Sequence, residues 1–119
     1  MPSYNAPVRE LRFVLNELLA ITECTDIPGY GDVSDDLVDA VLDGAAKVAE
    51  EVWAPLNQSG DEEGCRFENG VVRAPSGFKE AFDAWYEGGW NGISSPVEWG
   101  GQGLPGVLGL AISEMAMSS

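Results

Sequence analysis

A concentration of glycine near the C-terminal end constrains this chain more than any other sequence feature. Eight of its fifteen glycines lie between residues 88 and 109. Glycine at this density permits close backbone approach and positive φ and disfavours a regular element, so Pro96–Pro105 is predicted to form a sharp turn. The turn leads into the apolar stretch Val107–Met115. We therefore expect a tight loop that feeds a closely packed helix, with Gly106 and Gly109 letting a neighbour approach that helix.

Apolar residues recur at helical spacing in four segments, which predicts a mainly α fold of about four helices. The predicted helices cover residues 8–19, 34–54, 76–87 and 105–117. Ser34 is a suitable N-cap for the second helix, Pro55 is expected to end it, and the polar residues 56–63 are expected to form a loop. The predicted buried face of the first helix consists of Val8, Leu11, Leu15 and Leu18, with Val14 and Leu19 beside them.

The dipeptide Asn69-Gly70 favours a type I′ turn and lies between two short runs of strand-forming residues. A short hairpin is therefore predicted near residues 66–73, and because strands this short are marginal alone, it is expected to lean on the helices. The third helix carries an apolar stripe at helical spacing, made of Phe78, Ala81, Phe82, Trp85 and Tyr86. An aromatic stripe can serve as a flavin or base-stacking platform, but this spacing favours core packing.

Twenty acidic residues against six basic ones give a formal net charge of -14. A phosphate backbone would be repelled, which excludes nucleic acid as a partner. Half of the acids lie between residues 32 and 63, and this favours a solvated surface over a cation-binding or docking face. The chain has neither an apolar run long enough for a membrane helix nor the basic flank and apolar run of a secretory signal. We therefore expect no membrane span and a cytoplasmic location.

Residues with catalytic potential are few. The chain contains no histidine, which removes His-based nucleophile activation and most zinc catalysis from consideration. Cys24 and Cys65 have no CxxC spacing and are expected to be free buried thiols. Glu98 is interpreted as a carboxylate that fixes a loop through backbone N–H groups, and Glu114 as a buried or rim carboxylate held by an arginine or a backbone group. Residues 100–103 match neither GxGxxG nor a P-loop, so no catalytic, cofactor-binding or metal-ligating residue is assigned.

The predicted helix at residues 105–117 is apolar on nearly every side, which is typical of a helix that is buried all round. Three amphipathic helices and a hairpin offer little surface to enclose it, and Ser119 follows it almost directly. This arrangement predicts that the chain is a segment of a larger protein. An isolated chain is expected to self-associate to cover the helix.

Several motifs in order carry a family resemblance. The run Pro96–Leu104, which contains Glu98-Trp99-Gly100-Gly101, and the following helix with Ser113-Glu114-Met115 resemble the P-E-[YW]-G-G-x-G segment and next helix in the N-terminal helical domain of acyl-CoA dehydrogenases. Residues 1–17, 56–65 and 77–81 look like a long bacterial subfamily with a short N-terminal extension, which includes enzymes similar to 3-methylmercaptopropionyl-CoA dehydrogenase. The resemblance spans nearly all 119 residues.

The resemblance implies an extension with one amphipathic helix over residues 1–31 and an incomplete N-terminal helical domain over residues 32–119. In the family a middle β domain and a C-terminal helical bundle follow, and they hold most of the FAD. The implied parent enzyme oxidises an acyl-CoA at Cα–Cβ with a carboxylate base and the flavin. That carboxylate has no counterpart in this chain, and no residue of the chain is assigned to flavin binding. We therefore expect a structural segment, inactive alone and without bound flavin, whose partners are the remaining domains. The alternative is a stand-alone helical interaction or oligomerisation module.

Overall fold

The computed structural model describes residues 3–119, which form four helical segments and one hairpin. One of the four segments contains both α2 and α3. The mainly α prediction is confirmed. The elements are α1 (Val8–Arg12), α2 (Asp35–Val48), α3 (Ala54–Glu63), β1 (Arg66–Glu68), β2 (Val71–Arg73), α4 (Phe78–Glu87) and α5 (Gly106–Ser118). A π-helical turn, Phe13–Leu18, continues α1, and a second π-helical segment, Ala49–Trp53, joins α2 to α3. Met1 and Pro2, the start of the predicted extension, lie outside the described residues.

The apolar core lies between α2 and α5, and α1 packs on α2 as well. The most deeply buried large side chains are Val38, Leu42, Leu108, Ile112 and Met115. Residues of the predicted extension enter the same core, because Leu15 and Ile21 are buried within it. The Tyr4 hydroxyl also donates a hydrogen bond to the Met115 carbonyl at 3.1 Å. The extension is therefore packed against the rest of the chain, and a domain boundary at residue 31 stays a prediction.

Ser34 caps the N-terminus of α2, as predicted, because its Oγ accepts a hydrogen bond from the Leu37 N–H at 3.1 Å. We expect Ser34→Ala to lower the free energy of unfolding by about 1 kcal/mol, since a first-turn N–H loses its acceptor. Urea unfolding followed by circular dichroism measures the loss. The control is Ser59→Ala, because Ser59 is exposed inside α3, where alanine is the better helix former. Equal losses in the two variants would contradict the prediction.

Two predictions about the end of the second helix are wrong. Pro55 does not end it, and residues 56–63 belong to α3 instead of a loop. The cause is the π-helical segment Ala49–Trp53, after which the Ala54 N–H donates to the Ala49 carbonyl five residues earlier. The wider turn ends there, and Pro55 then lies in the first turn of a new α-helical stretch, where its missing N–H costs little.

The buried face predicted for the first helix is only partly correct. Leu15 is buried, but Leu18 is 69% exposed, and Val14 and Leu19 are exposed as well. The π-helical turn Phe13–Leu18 explains the difference, because the Leu19 N–H donates to the carbonyl of Val14, five residues earlier. A helix that advances by more residues per turn moves the later side chains away from the face that α-helical spacing predicts.

The hairpin predicted near residues 66–73 is present, with β1 antiparallel to β2 and Phe67 opposite Val72. Asn69 and Gly70 have φ values of 52° and 77°, as a type I′ turn requires. The prediction that the hairpin leans on the helices is wrong. All residues of both strands are exposed, including Phe67 at 73% and Val72 at 67%. The hairpin therefore projects from the helical body.

The Glu63 side chain links the end of α3 to the segment before α4 through two hydrogen bonds. Its carboxylate accepts hydrogen bonds from the Ser76 N–H at 2.9 Å and the Ser76 hydroxyl at 3.1 Å. Both bonds favour the charged form, so they lower the pKa of Glu63, the backbone bond most strongly.

We expect an NMR titration to find the pKa of Glu63 lowered, and Ser76→Ala to raise it part of the way by removing the hydroxyl. A group with a lowered folded-state pKa stabilises the fold above its unfolded pKa, and this contribution is lost as the pH falls through the folded pKa. An unchanged Glu63 titration in Ser76→Ala would be evidence against the assigned contact.

The molecule is flat, with extents of 54 × 36 × 16 Å along its principal axes. Its accessible surface is 7751 Å², whereas a compact chain of 12.7 kDa exposes about 6,200 Å². The projecting hairpin accounts for part of the difference. Helices that are only partly covered account for more of it, since several of their large apolar side chains are exposed.

The last helix, α5, shows this incomplete cover. Leu108 and Met115 are fully buried, but Leu110 is 73% exposed and Met117 is 88% exposed. Within residues 3–119 the helix is therefore covered on one side only, as expected from the small surface that the other helices and the hairpin offer it, and burial of its other side stays a prediction. Among residues 3–119, no helix has the length and apolarity needed to cross a membrane.

Candidate functional site

The glycine-rich stretch forms a sharp turn, as predicted, and it is closed by its own backbone. The N–H groups of Gly100, Gly101, Gln102, Gly103 and Leu104 donate to the carbonyls of Val97, Pro96, Gly92, Ser95 and Ile93. Gly100 and Gly103 have positive φ values of 86° and 65°. A phosphate cradle needs N–H groups that point at the ligand. Here those groups bond within the loop, so the stretch is a packing element.

The glycine-rich loop packs closely against its own backbone and against α5. A Cβ added at Gly101 would lie 2.1 Å from the Ser95 carbonyl oxygen, and one at Gly109 would lie 2.8 Å from the Ser94 Oγ. The prediction that Gly109 lets a neighbour approach is therefore confirmed. The corresponding prediction for Gly106 is wrong, because nothing lies within 4 Å of the position a Cβ would take there.

Glu98 and Glu114, the two carboxylates singled out from the sequence, are both exposed. The predicted contacts of both carboxylates are absent among residues 3–119: main-chain bonds close the loop around Glu98, and Arg12 pairs with Asp39 and Asp43 instead of Glu114. Neither glutamate lines any of the three cavities described below. The structure therefore does not bring them into a shared cleft for acid–base chemistry.

The two cysteines are free, as predicted, but the prediction that they are buried is wrong. Cys24 is half-buried and Cys65 is exposed. No disulfide joins them. Within residues 3–119, no group of three or more potential Cys, Asp or Glu ligands is arranged to hold a metal ion.

Two open cavities follow one flank of α5, and together we call them the α4–α5 groove. The first is mainly apolar, and Asn91, Ser94 and Ser113 contribute polar groups to the second. The first cavity lies at the C-terminal end of the groove and has a volume of about 370 Å³. Trp53 and Leu56 come from the central π-helical segment and α3, Phe78 and Phe82 from α4, and Met117 from α5. Both α4 and α5 pack against the π-helical segment Ala49–Trp53, which therefore holds the two walls apart.

The N-terminal end of the α4–α5 groove is a second cavity of about 310 Å³. Trp85 and Trp90 line it opposite Gly109, Leu110 and Ser113 of α5. The Trp85 ring lies 5.0 Å from the ring of Trp53 and 6.1 Å from that of Trp90, measured between centroids. Three tryptophans thus connect the two ends of the groove.

The aromatic stripe predicted to be core lies only partly in the core. Ala81 and Trp85 are buried, but Phe78, Phe82 and Tyr86 are 40%, 59% and 61% exposed. The exposed aromatics follow one another at four-residue spacing, and Phe78 and Phe82 line the groove. Helical spacing correctly placed them on one flank. Whether a neighbour covers that flank depends on residues distant in sequence.

No charged side chain is among the residues that line the α4–α5 groove. Arg12 bonds to Asp39, and that contact is the largest cause of its raised pKa. Lys79 pairs with Asp83 one turn along α4, which likewise raises the pKa of the lysine. Both cations are thus paired with neighbouring carboxylates.

The third cavity, of about 590 Å³, lies between the loop at residues 25–33 and the glycine-rich turn. Asp26 and Asp32 are its charged lining residues. No lysine or arginine lines any of the three cavities. These features define a helical packing domain with an open groove beside α5.

The comparisons with known proteins identify the family that this domain resembles. No protein-family model matches the chain. It is 38% identical over 117 residues to 3-methylmercaptopropionyl-CoA dehydrogenase from Ruegeria pomeroyi and 32% identical over 91 residues to butyryl-CoA dehydrogenase from Syntrophomonas wolfei. It is also 29% identical over 119 residues to a broad-specificity linear acyl-CoA dehydrogenase from Mycobacterium tuberculosis.

These matches cover 98%, 73% and 96% of the chain but only 20%, 15% and 19% of the relatives. The chain is thus similar, over nearly its whole length, to one segment of the acyl-CoA dehydrogenases. The resemblance predicted from its motifs is confirmed. The chain spans about a fifth of the length of the first of these relatives.

Sequence reasoning missed the α4–α5 groove, although its parts were visible. The stripe in the third helix predicts core packing, and the apolar fourth helix predicts cover by parts outside this chain or by a second copy. A signal was present in the flank of α5 formed by Gly106, Gly109, Ser113 and Ala116, because small residues at this spacing leave room beside a helix. Only the three-dimensional structure shows that the space beside these small residues is not filled by another part of residues 3–119.

Proposed function

We propose that the chain is an N-terminal segment of a flavin-dependent acyl-CoA dehydrogenase. The parent enzyme would oxidise an acyl-CoA at Cα–Cβ to the enoyl-CoA. The segment itself would be structural and inactive alone, with the remaining domains of the parent as its partners. The observation that carries the proposal is the similarity to three acyl-CoA dehydrogenases across a segment that is only about a fifth of the first relative. A cytoplasmic location also remains a prediction.

FAD would be held by the rest of the parent enzyme. Its pyrophosphate needs cationic side chains or free N–H groups, and its length needs a large formed cleft. The three cavities here have no lysine or arginine in their linings, and the largest of the three carries two aspartates. The N–H groups of the glycine-rich turn are bonded within that turn. The residues of this segment therefore do not fit the cofactor.

The reading frame downstream of Ser119 tests the proposal. We expect it to continue into a β domain followed by a helical bundle, and a stop codon directly after Ser119 would overturn the proposal. A second test replaces the aligned 117 residues of the Ruegeria pomeroyi relative with this chain. The chimaera is expected to reduce an electron acceptor in the presence of its acyl-CoA. Flavin that remains with the isolated 119-residue chain through gel filtration would contradict the assignment of FAD to the other domains.

A second candidate function is a helical interaction or oligomerisation module. The exposure of Leu110 and Met117 favours it, because large apolar side chains on one edge of a helix are typical of interaction surfaces. In this case the isolated chain would cover α5 by self-association. The two candidates are compatible, since a surface that docks another domain in the parent can pair with itself when that domain is absent.

A further inference from the structure

We propose that residues 3–7 form a strap that opens and closes as one unit, and that the closed strap holds the last turn of α5 to the π-helical segment Ala49–Trp53. The strap precedes α1 and belongs to no helix or strand. This inference goes beyond both candidate functions and applies to either of them, because it concerns contacts within residues 3–119.

The strap has two anchors, and each lies on a different element. The Tyr4 hydroxyl donates to the Met115 carbonyl at 3.1 Å and lies 2.7 Å from the Ser118 Oγ, which fixes it to the last turn of α5. Two residues later, the Ala6 N–H donates to the Glu50 carboxylate at 2.7 Å, which fixes the strap to the π-helical segment. The strap therefore links two elements that are distant in sequence.

The spacing of the two anchors makes the strap a cooperative unit. Tyr4 and Ala6 are separated by a single residue, so a movement that frees one of them also displaces the other. Residues 3–7 form no helix or strand, so no regular backbone ladder holds them in place. Segments held by few hydrogen bonds open locally at a lower free-energy cost than global unfolding. We therefore expect both anchors to be lost together while α2 stays folded.

Apolar contact favours the closed strap. Tyr4 and Ala6 are partly buried and pack against the apolar core, to which Ala49 and Met115 also belong. Burial of apolar surface is favourable in water, so opening would expose part of the core as well as break both anchors. The strap is therefore closed in the main population and opens only transiently.

The elements that the strap joins also line the C-terminal end of the α4–α5 groove. Trp53 belongs to the π-helical segment and lines the first cavity together with Ala116 and Met117 of α5. Because the closed strap joins these two elements, its opening lets them separate and changes the packing of Trp53. The Trp53 Nε1 is buried and has no hydrogen-bond partner within residues 3–119, so its indole N–H resonance responds to that packing.

Amide hydrogen exchange of the 119-residue chain, followed by NMR, tests the strap. Tyr4→Phe removes only the hydroxyl, and we expect exchange of the Ala6 N–H to become about threefold faster or more, although Ala6 keeps its acceptor on Glu50. The Trp53 indole resonance is expected to shift as well. The matched control is Tyr30→Phe, because Tyr30 is also partly buried against the core but lies in a loop that carries neither anchor. This control is expected to change neither measurement.

The reverse experiment changes the other anchor. Glu50→Ala removes the acceptor of the Ala6 N–H, and we expect faster exchange in the last turn of α5, where the bond from the Ser119 N–H to the Met115 carbonyl is not itself altered. Glu50→Gln keeps an oxygen acceptor and is expected to retain slow exchange. Glu51→Ala is the control, because Glu51 is the neighbouring carboxylate and is exposed.

Contrary results overturn the proposal. Unchanged Ala6 exchange in Tyr4→Phe, or unchanged exchange at the end of α5 in Glu50→Ala, would show that the two anchors open independently. An unchanged Trp53 resonance would remove the link to the π-helical segment. An equal rise in exchange throughout α2 would show global destabilisation instead of an opening strap. The proposed function is decided separately, by the downstream reading frame.

Discussion

Replacing Gly101 with alanine is expected to lower the free energy of unfolding by about 3 kcal/mol or more. The added Cβ would lie 2.1 Å from the Ser95 carbonyl oxygen and 2.5 Å from its carbonyl carbon. Both are backbone atoms, so no side chain can rotate away. The loop would have to open, which breaks the bond from the Gly103 N–H to the same Ser95 carbonyl. Urea unfolding monitored by circular dichroism measures the loss.

Gly106→Ala is the control for this prediction. Gly106 is the first residue of α5, its φ is not positive, and a Cβ there would meet nothing within 4 Å. Alanine loses less backbone entropy than glycine on entering a helix, so this variant is expected to be neutral or more stable by about 0.5 kcal/mol. If the two alanine variants unfolded at the same urea concentration, the steric account of Gly101 would be wrong.

Leu108→Ala is expected to destabilise the fold by about 2–5 kcal/mol. Leu108 is fully buried on the side of α5 that packs into the core, and alanine there would leave a cavity. Leu110→Ala makes the same chemical change two residues away, where the side chain is 73% exposed. Its effect is expected to stay within about 0.5 kcal/mol.

The measurement for this pair is urea unfolding at a concentration at which the chain is monomeric. This condition matters because self-association through α5, as in the second candidate function, would add a concentration-dependent term to the stability of the chain. A loss for Leu110→Ala comparable to that for Leu108→Ala would show that the outer side of α5 is covered within one chain.

Local sequence signals predicted the features that depend on local chemistry. Ser34 caps α2 because its hydroxyl reaches an N–H three residues away, and Asn69-Gly70 turns the hairpin because both residues accept positive φ. The turn at Gly101 follows for a similar reason, since its glycines bond within one short loop. None of these features requires knowledge of distant residues.

Features that depend on helix register were predicted less well. The pattern around Leu18 was interpreted with α-helical spacing, but a π-helical turn rotates that side chain into solvent. Pro55 predicts the end of a helix, because no local signal reveals that a π-helical segment precedes it. A π turn adds a residue without a characteristic composition, so periodicity alone cannot detect it.

The α4–α5 groove could not be predicted, because it depends on cover that the sequence pattern does not record. Helical spacing predicts the faces on which Phe82 and Leu110 lie. It does not predict whether another part of the fold covers those faces. In this chain α4 and α5 are separated by the segment around Trp53, so the inner flank of each is open. The resemblance to the acyl-CoA dehydrogenases came from motifs and required no knowledge of this groove.

The π-helical segment Ala49–Trp53 gives this region a tolerance for a change of length that a regular helix lacks. A π-helical turn holds about one residue more than an α-helical turn for nearly the same rotation. Deleting one residue there would therefore restore a regular helix and leave Leu56 and the rest of α3 facing nearly the same way. A deletion inside Asp35–Val48 has no wider turn to absorb it and would rotate the helix that follows by about 100°. We therefore expect single-residue deletions to be accepted at Ala49–Trp53 more often than within α2 during evolution.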